Sequence, residues 1–270
     1  MTATTAQTKP KPNLKTIALP ASHGGWGFLF EPILLGLLVA PSMAALWLGV
    51  AASGAFLSQQ PLKLALTDRR KGRRYPRSIW AERLAALYLA VAAAGLVLAW
   101  ASSPFAFWLP LLLAVPLAAV QLYYDARNRG RELIPELFGA GALGAVASAA
   151  AMAAGWSAGP ALALWVILFA RTVGSVVYVR ARLRLERGQK IRRLPVTLTH
   201  LLAALIIAGL AVAGLAPWLA VAALLVLLGR SLFGLSAQRR VVKPKIVGFQ
   251  EMAYGLLTVL LTTIGYFLQI

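Results

Sequence analysis

Five ionisable residues recur at one depth along this chain. Glu31, Glu82, Glu136, His200 and Glu251 each stand roughly one turn inside an apolar stretch that follows polar or basic residues. The stretches that lead into the basic runs carry polar groups at matching depth: Gln59, Gln60 and Lys63, then Gln121, Tyr124 and Asp125, then Arg171, Ser175 and Tyr178, then Arg230 and Ser231. Carboxylates and guanidiniums at one level can form ion pairs. Arginine forks also suit the phosphate or carboxylate of an anionic head group. A carboxylate and histidine set of the kind found in helical bundles would need Glu-x-x-His pairs on one helix. None is present, so no metal ligands are assigned and the cofactor is left open, a metal or a haem between His23 and His200 being a lesser alternative.

The elements that must position these groups follow from composition. Sixty per cent of the 270 residues are apolar and only 13% are charged, whereas a soluble domain is about half apolar and a quarter charged. Such a chain has too little polar surface to face water on all sides, and a bilayer removes the need. Apolar runs of about 20 residues read as membrane-crossing helices. They fall at 26–40, 43–66, 78–101, 104–124, 132–155, 160–182, 195–214, 217–236 and 247–268. The expected fold is an all-α polytopic membrane bundle of about nine transmembrane helices. The first run is short and holds Glu31 and Pro32, so a re-entrant segment is its alternative. Residues 1–22 read as a disordered tail and 23–270 as a single transmembrane domain.

The formal net charge of +19 is distributed unevenly. Of the 27 Lys and Arg, all but Lys63, Arg171 and Arg230 lie in the tail or in or just beside the connections after the second, fourth, sixth and eighth runs. The alternate connections, near 41–42, 101–104, 155–160 and 215–216, contain none. By the positive-inside rule the tail and basic loops are cytoplasmic and Ile270 lies outside. This placement explains the charge by topology and argues against nucleic acid as a partner. Trp26, Trp80, Trp100, Trp108, Trp156 and Trp218 fall near helix ends, where interfacial tryptophans belong.

The chain repeats a hairpin four times: an apolar run enters a basic loop, and the next run returns with an ionisable residue. The resulting layer comprises His23, Glu31, Gln60, Lys63, Asp68, Glu82, Gln121, Asp125, Glu136, Arg171, Ser175, Tyr178, His200, Arg230 and Glu251. A lone charge in lipid costs ~2.5–3.5 kcal/mol on insertion scales. The carboxylates are therefore expected to turn inward and pair with Lys63, Arg171 and Arg230 around a cavity open to the cytoplasm. The outer two-thirds read as almost wholly apolar. Salt bridges at the headgroup level are the simpler reading of any single member.

The chain lacks cysteine, which excludes disulfides and thiolate chemistry. It holds no Walker-type loop, H-E-x-x-H or G-x-S-x-G. The stretch GAGALGAVASAAAMAAG at 139–155 reads as a small-residue packing face. The leading functional expectation is a protein that binds a lipid or isoprenoid with an anionic head, held by Lys63, Arg171 and Arg230. A small-anion transporter or permease is one alternative. An accessory or assembly factor whose basic loops dock on partners or anionic lipid is another.

Several segments resemble a known family. HGGWGFLFEP at 23–32, QPLKLALTDRRKGRRYPRS at 60–78 with Glu82, YYDARNRGRELIPE at 123–136 and KPKIVGFQEMAYG at 243–255 are similar to the YwiC-like family of bacterial membrane proteins. The resemblance implies a bacterial cytoplasmic membrane and no particular reaction. More distantly, the span number, orientation and polar loops after spans two and six resemble the UbiA prenyltransferases, which implies a UbiA-like arrangement. Those enzymes hold magnesium on aspartate-rich motifs at these two places. Here the corresponding positions are Gln60, Leu64 and Asp68, then Arg171, Ser175 and Val179. One aspartate among arginines is a poor cage for a hard cation that prefers oxygen ligands.

Overall fold

The computed structural model describes residues 14–20, 25–72 and 75–270. Among these residues the chain is wholly α-helical, in ten helices. They are α1 (Leu14–Ala18), α2 (Gly25–Val39), α3 (Met43–Arg70), α4 (Pro76–Ala101), α5 (Trp108–Ala126), α6 (Leu133–Ala153), α7 (Ala158–Glu186), α8 (Leu194–Val212), α9 (Trp218–Gly234) and α10 (Pro244–Leu268). Six of them, α4 to α8 and α10, are long and apolar enough to cross a membrane, and α2 and α9 are shorter apolar helices. The protein is accordingly a multi-pass integral membrane protein. Its outward faces carry Leu87, Val97, Leu112, Leu205 and Phe267, which lipid can solvate at no cost.

Local chemistry sets the helix ends. Ser42 caps α3, its hydroxyl accepting from the Ala45 amide at 3.1 Å. Proline opens α4 and α10 at the first-turn position where its missing N–H costs nothing. The chain leaves α7 through Gly188 at φ 73°, in the left-handed region that glycine occupies without a Cβ penalty.

The turns sort to two ends. Arg70 donates to the Ala126 carbonyl (2.9 Å), Arg180 to that of Arg131 (2.7 Å) and Arg182 to that of Arg240 (2.5 Å). The turns after α3, α5, α7 and α9 are thus stitched together at one basic end. At the other end Ser103 bonds the Ala153 carbonyl (2.8 Å) and Tyr266 that of Leu215 (3.0 Å).

Helix α2 stands at the centre, against α3, α6, α7 and α10. The others follow round it in chain order, each packed on the next, with one break: α4 and α5 share almost no contact. Most of α6 and α7 is buried, while α4 and α5 turn most of their surface outward. The small-residue run of α6 is what permits its central place. A Cβ on Gly36 would meet Ala150 and Ala147, so α2 and α6 touch nearly backbone to backbone. Gly54 and Gly95 do the same for α3 and α4: a Cβ on either would come within 3 Å of the other helix's backbone.

Helix α1 corrects the expectation of disorder through residue 22. Its Ile17 is buried beside Ala65 of α3 and Ala81 of α4. The remaining tail lies outside the described residues.

Candidate functional site

Half of the expected polar layer condenses into one buried network between α2, α7, α8, α9 and α10. Arg171 lies 3.0 Å from Glu31, with side chains 2% and 7% exposed. The same guanidinium donates to the Glu251 carbonyl at 2.7 Å. Glu251 in turn pairs with Arg230. The Arg230 guanidinium sits 4.0 Å from the centre of the Tyr178 ring and 5.3 Å from that of Tyr254, within cation–π range. Its Nη2 also lies 3.2 Å from His200 Nε2, and His200 Nδ1 lies 2.8 Å from the Val196 carbonyl. An arginine only donates and a carbonyl only accepts. The ring is therefore held with its proton on Nδ1 and Nε2 accepting. Ser175 is buried beside them. Two acids and two arginines balance, as burial in a low-dielectric interior requires.

Glycines make room for the network. Gly27 and Gly255 face the Glu31 carboxylate, Gly174 faces the His200 ring, and Gly234 faces the Tyr178 hydroxyl. A side chain at Gly255 would collide with both Glu31 and Arg171.

A second buried group, absent from the expected set, continues toward the basic end. Arg182 pairs with Glu186 one turn on at 2.7 Å and donates to the carbonyls of Gly234 and Arg240. Arg239 approaches Glu186 at 3.7 Å. The run VRARLRLERG reads as a charged loop, yet α7 carries it as helix to Glu186. Its signal in the sequence is the i,i+4 spacing of Arg182 and Glu186.

A third region is an apolar cavity of about 410 Å³ between α3, α4, α5 and α6. Leu48, Phe56, Leu96, Leu111, Leu143 and Val146 are among its walls. Gln59, Gln121 and Asp125 give it one polar end, toward the basic turns. Gln59 donates to Gln121 at 3.4 Å, and Lys63 is near enough to Asp125 to attract its carboxylate. Exposed Val115 and Leu122 are also in the lining, so the cavity opens sideways where α4 and α5 part.

The rest of the expected layer lies elsewhere. Glu82 pairs with Arg69 (3.0 Å) and Glu136 with Arg180 (2.6 Å), both at partly exposed positions. They were expected to turn inward; arginines near the basic ends of α3 and α7 meet them at the periphery instead. Gln60 donates to the Thr16 carbonyl at 3.3 Å. Asp68, buried at the end of α3, accepts from Arg77 (2.9 and 3.2 Å) and Ser78 (2.7 Å). These bonds, the Arg77 one foremost, hold its carboxyl below the usual carboxylate range. His23 lies outside the described residues. Among the described residues no three His, Asp or Glu side chains converge as a metal site.

Comparison with known proteins agrees with the resemblance seen in the sequence. Residues 19–151 match the family described as YwiC-like protein, and the quoted segments up to Glu136 fall inside that match. The chain matches no curated protein and no solved structure.

Proposed function

With residues 19–151 belonging to the YwiC-like family, we propose that the protein binds a membrane lipid or isoprenoid with an anionic head, its chain in the cavity between α3 and α6. The observation that carries this reading is the cavity itself: apolar walls, one polar end and exposed Val115 and Leu122 in its lining. Its volume lies within the ~300–1,000 Å³ range of ligand sites. The head would sit among Gln59, Gln121 and Asp125, with Lys63 as the nearest cation. Arg171 and Arg230 belong to a separate network and do not line the cavity, which favours Lys63, beside Asp125 at the polar end, as the head-group contact.

The topology we adopt has nine spans in a UbiA-like arrangement, the basic end and N-terminal tail in the cytoplasm, and the membrane that of the bacterial cell. The single-ended clustering of the basic turns supports that orientation.

The test is lipid mass spectrometry of protein purified in mild detergent, beside the variants Ala142→Phe and Lys63→Gln. The reading expects a stoichiometric lipid that Ala142→Phe excludes and Lys63→Gln weakens. Equal, non-stoichiometric lipid in all three would refute it.

A further inference from the structure

A second feature crosses the bundle on the opposite side from the cavity and shares no lining residue with it. On α7, Arg171, Ser175, Tyr178, Arg182 and Glu186 follow one another at steps of three or four residues, which places them on one helix face. On α10, Glu251, Tyr254, Thr258, Thr262 and Tyr266 do the same. Fifteen residues of helix rise about 22 Å. The α7 series runs from the middle of the bundle to the basic end, and the α10 series from the middle to the other end. They meet where Arg171 bonds the Glu251 carbonyl.

These residues are mostly buried, and they are poorly satisfied. Ser175 Oγ, Arg171 Nε, Glu251 Oε2, Thr262 Oγ1 and Glu186 Oε2 are buried without a hydrogen-bond partner among the described residues. So are Arg230 Nε and Thr263 Oγ1 beside them, whereas Glu31 Oε1 and Glu186 Oε1 are met only by ion pairs, to Arg171 and to Arg182 and Arg239. Of all such buried polar side-chain atoms, Thr67 Oγ1 alone lies away from this seam. A buried polar atom left without a partner forfeits its hydration, and the concentration of such atoms along one line calls for a common occupant. Water is the group that can both donate and accept at so many points, and buried waters typically make about three such bonds. Thr258 shows the contrast: its hydroxyl is satisfied by the Tyr254 carbonyl at 2.9 Å, whereas Thr262 and Thr263 do not bond back in this way.

We infer that the α7/α10 seam is a water-assisted proton path through the protein. A proton needs no wide channel, because each transfer breaks one O–H bond and makes another. Glu186, Glu251 and Glu31 are the carriers; Glu251 has Oε1 held by Arg230 and Oε2 available. Tyr178, Ser175, Thr262 and Tyr266 are relays that donate and accept at one oxygen. The transfers return every group to its starting state, so a gradient across the membrane suffices to drive net flow. The fixed guanidiniums of Arg171, Arg182, Arg230 and Arg239 outnumber the three carboxylates and oppose metal cations on the same line.

The test uses the full chain in vesicles of phosphatidylcholine and phosphatidylglycerol, loaded with potassium and a pH-sensitive dye. Valinomycin sets the driving potential. The wild type should change internal pH faster than protein-free vesicles. The pair Thr262→Val with Thr263→Val should lose that excess. The serine pair at the same positions should keep it, as should Thr199→Val, a threonine off the seam. Wild-type vesicles that match protein-free ones, or a valine pair that conducts like the wild type, would overturn the inference.

Discussion

Arg171 on α7 and Glu31 on α2 meet at 3.0 Å with less than a tenth of either side chain exposed. Among the described residues no other acid–base pair ties the central helix to its neighbours. Removing one partner leaves the other charged and buried, a change that costs about 3–5 kcal/mol in comparable pairs. Arg171→Met should lower the melting temperature and the monodisperse yield in detergent sharply. Arg171→Met combined with Glu31→Leu should recover much of the loss, since an apolar pair removes both charges. A double variant as unstable as the single one would show that the arginine matters for something other than this pair.

The peripheral pairs should behave differently. Glu82 and Glu136 meet Arg69 and Arg180 at partly exposed positions, where an ion pair contributes about 0–1 kcal/mol. Glu82→Leu and Glu136→Leu should therefore change thermal stability little. The comparison with Arg171→Met in the same detergent measures how far burial, and not charge alone, decides.

Acid should expose Asp68, which lies beyond the span at the end of α3. Its carboxyl is held below its ordinary value by Arg77 and Ser78. The folded state thus binds the proton less readily than the unfolded chain. The stabilisation is present above the unfolded value, about 3.9, and is lost as pH falls through the lower folded value. A melting-temperature profile into the acid range should lose part of its slope in Asp68→Asn. An unchanged slope would remove Asp68 from the acid sensitivity.

The closest helix contact offers a test of packing. A Cβ on Gly95 would stand 2.8 Å from the Ala51 nitrogen and 2.9 Å from the Trp47 carbonyl oxygen. Both are backbone atoms, so α3 and α4 must part. Gly95→Leu should cost at least the ~1–3 kcal/mol typical of overpacking. It should also reshape the cavity, because Ala51 and Leu96 line it. Stability measured with lipid retention on the same sample would register both effects.

Helices α2 to α10 were legible in the sequence to within a few residues, because apolar runs between Gly, Pro and charged turns leave little freedom in where a span begins; the short α1 was not. Depth was legible too: Glu31, Arg171, His200, Arg230 and Glu251 do share a level. Azimuth was not. Span position says how far down a residue sits and nothing about which way it faces, so Glu82 and Glu136 looked equivalent to Glu31. The charged run at the end of α7 hid Arg182 and Glu186, since charge there resembles a loop. Thr258, Thr262 and Thr263 were masked by the apolar residues around them, which made the outer bundle read as dry. The cavity lies where α4 and α5 share almost no contact, and a missing contact leaves no trace in either helix's composition.

The central position of α2 also has a consequence for how the chain is made. Glu31 leaves the ribosome 140 residues before Arg171. At about 5–20 residues per second, translation separates the two by roughly 7–28 s. Throughout that interval the acid has no partner, and a charge left in hydrocarbon costs ~2.5–3.5 kcal/mol. The helix that ends up in the middle is synthesised before α3, α6, α7 and α10, which pack against it, and can be seated only once α7 and α10 exist. Biogenesis thus has to run with an early segment waiting, either at the membrane surface or beside an insertion factor. A nascent chain arrested before residue 171 should leave α2 accessible to aqueous labels that the finished protein excludes.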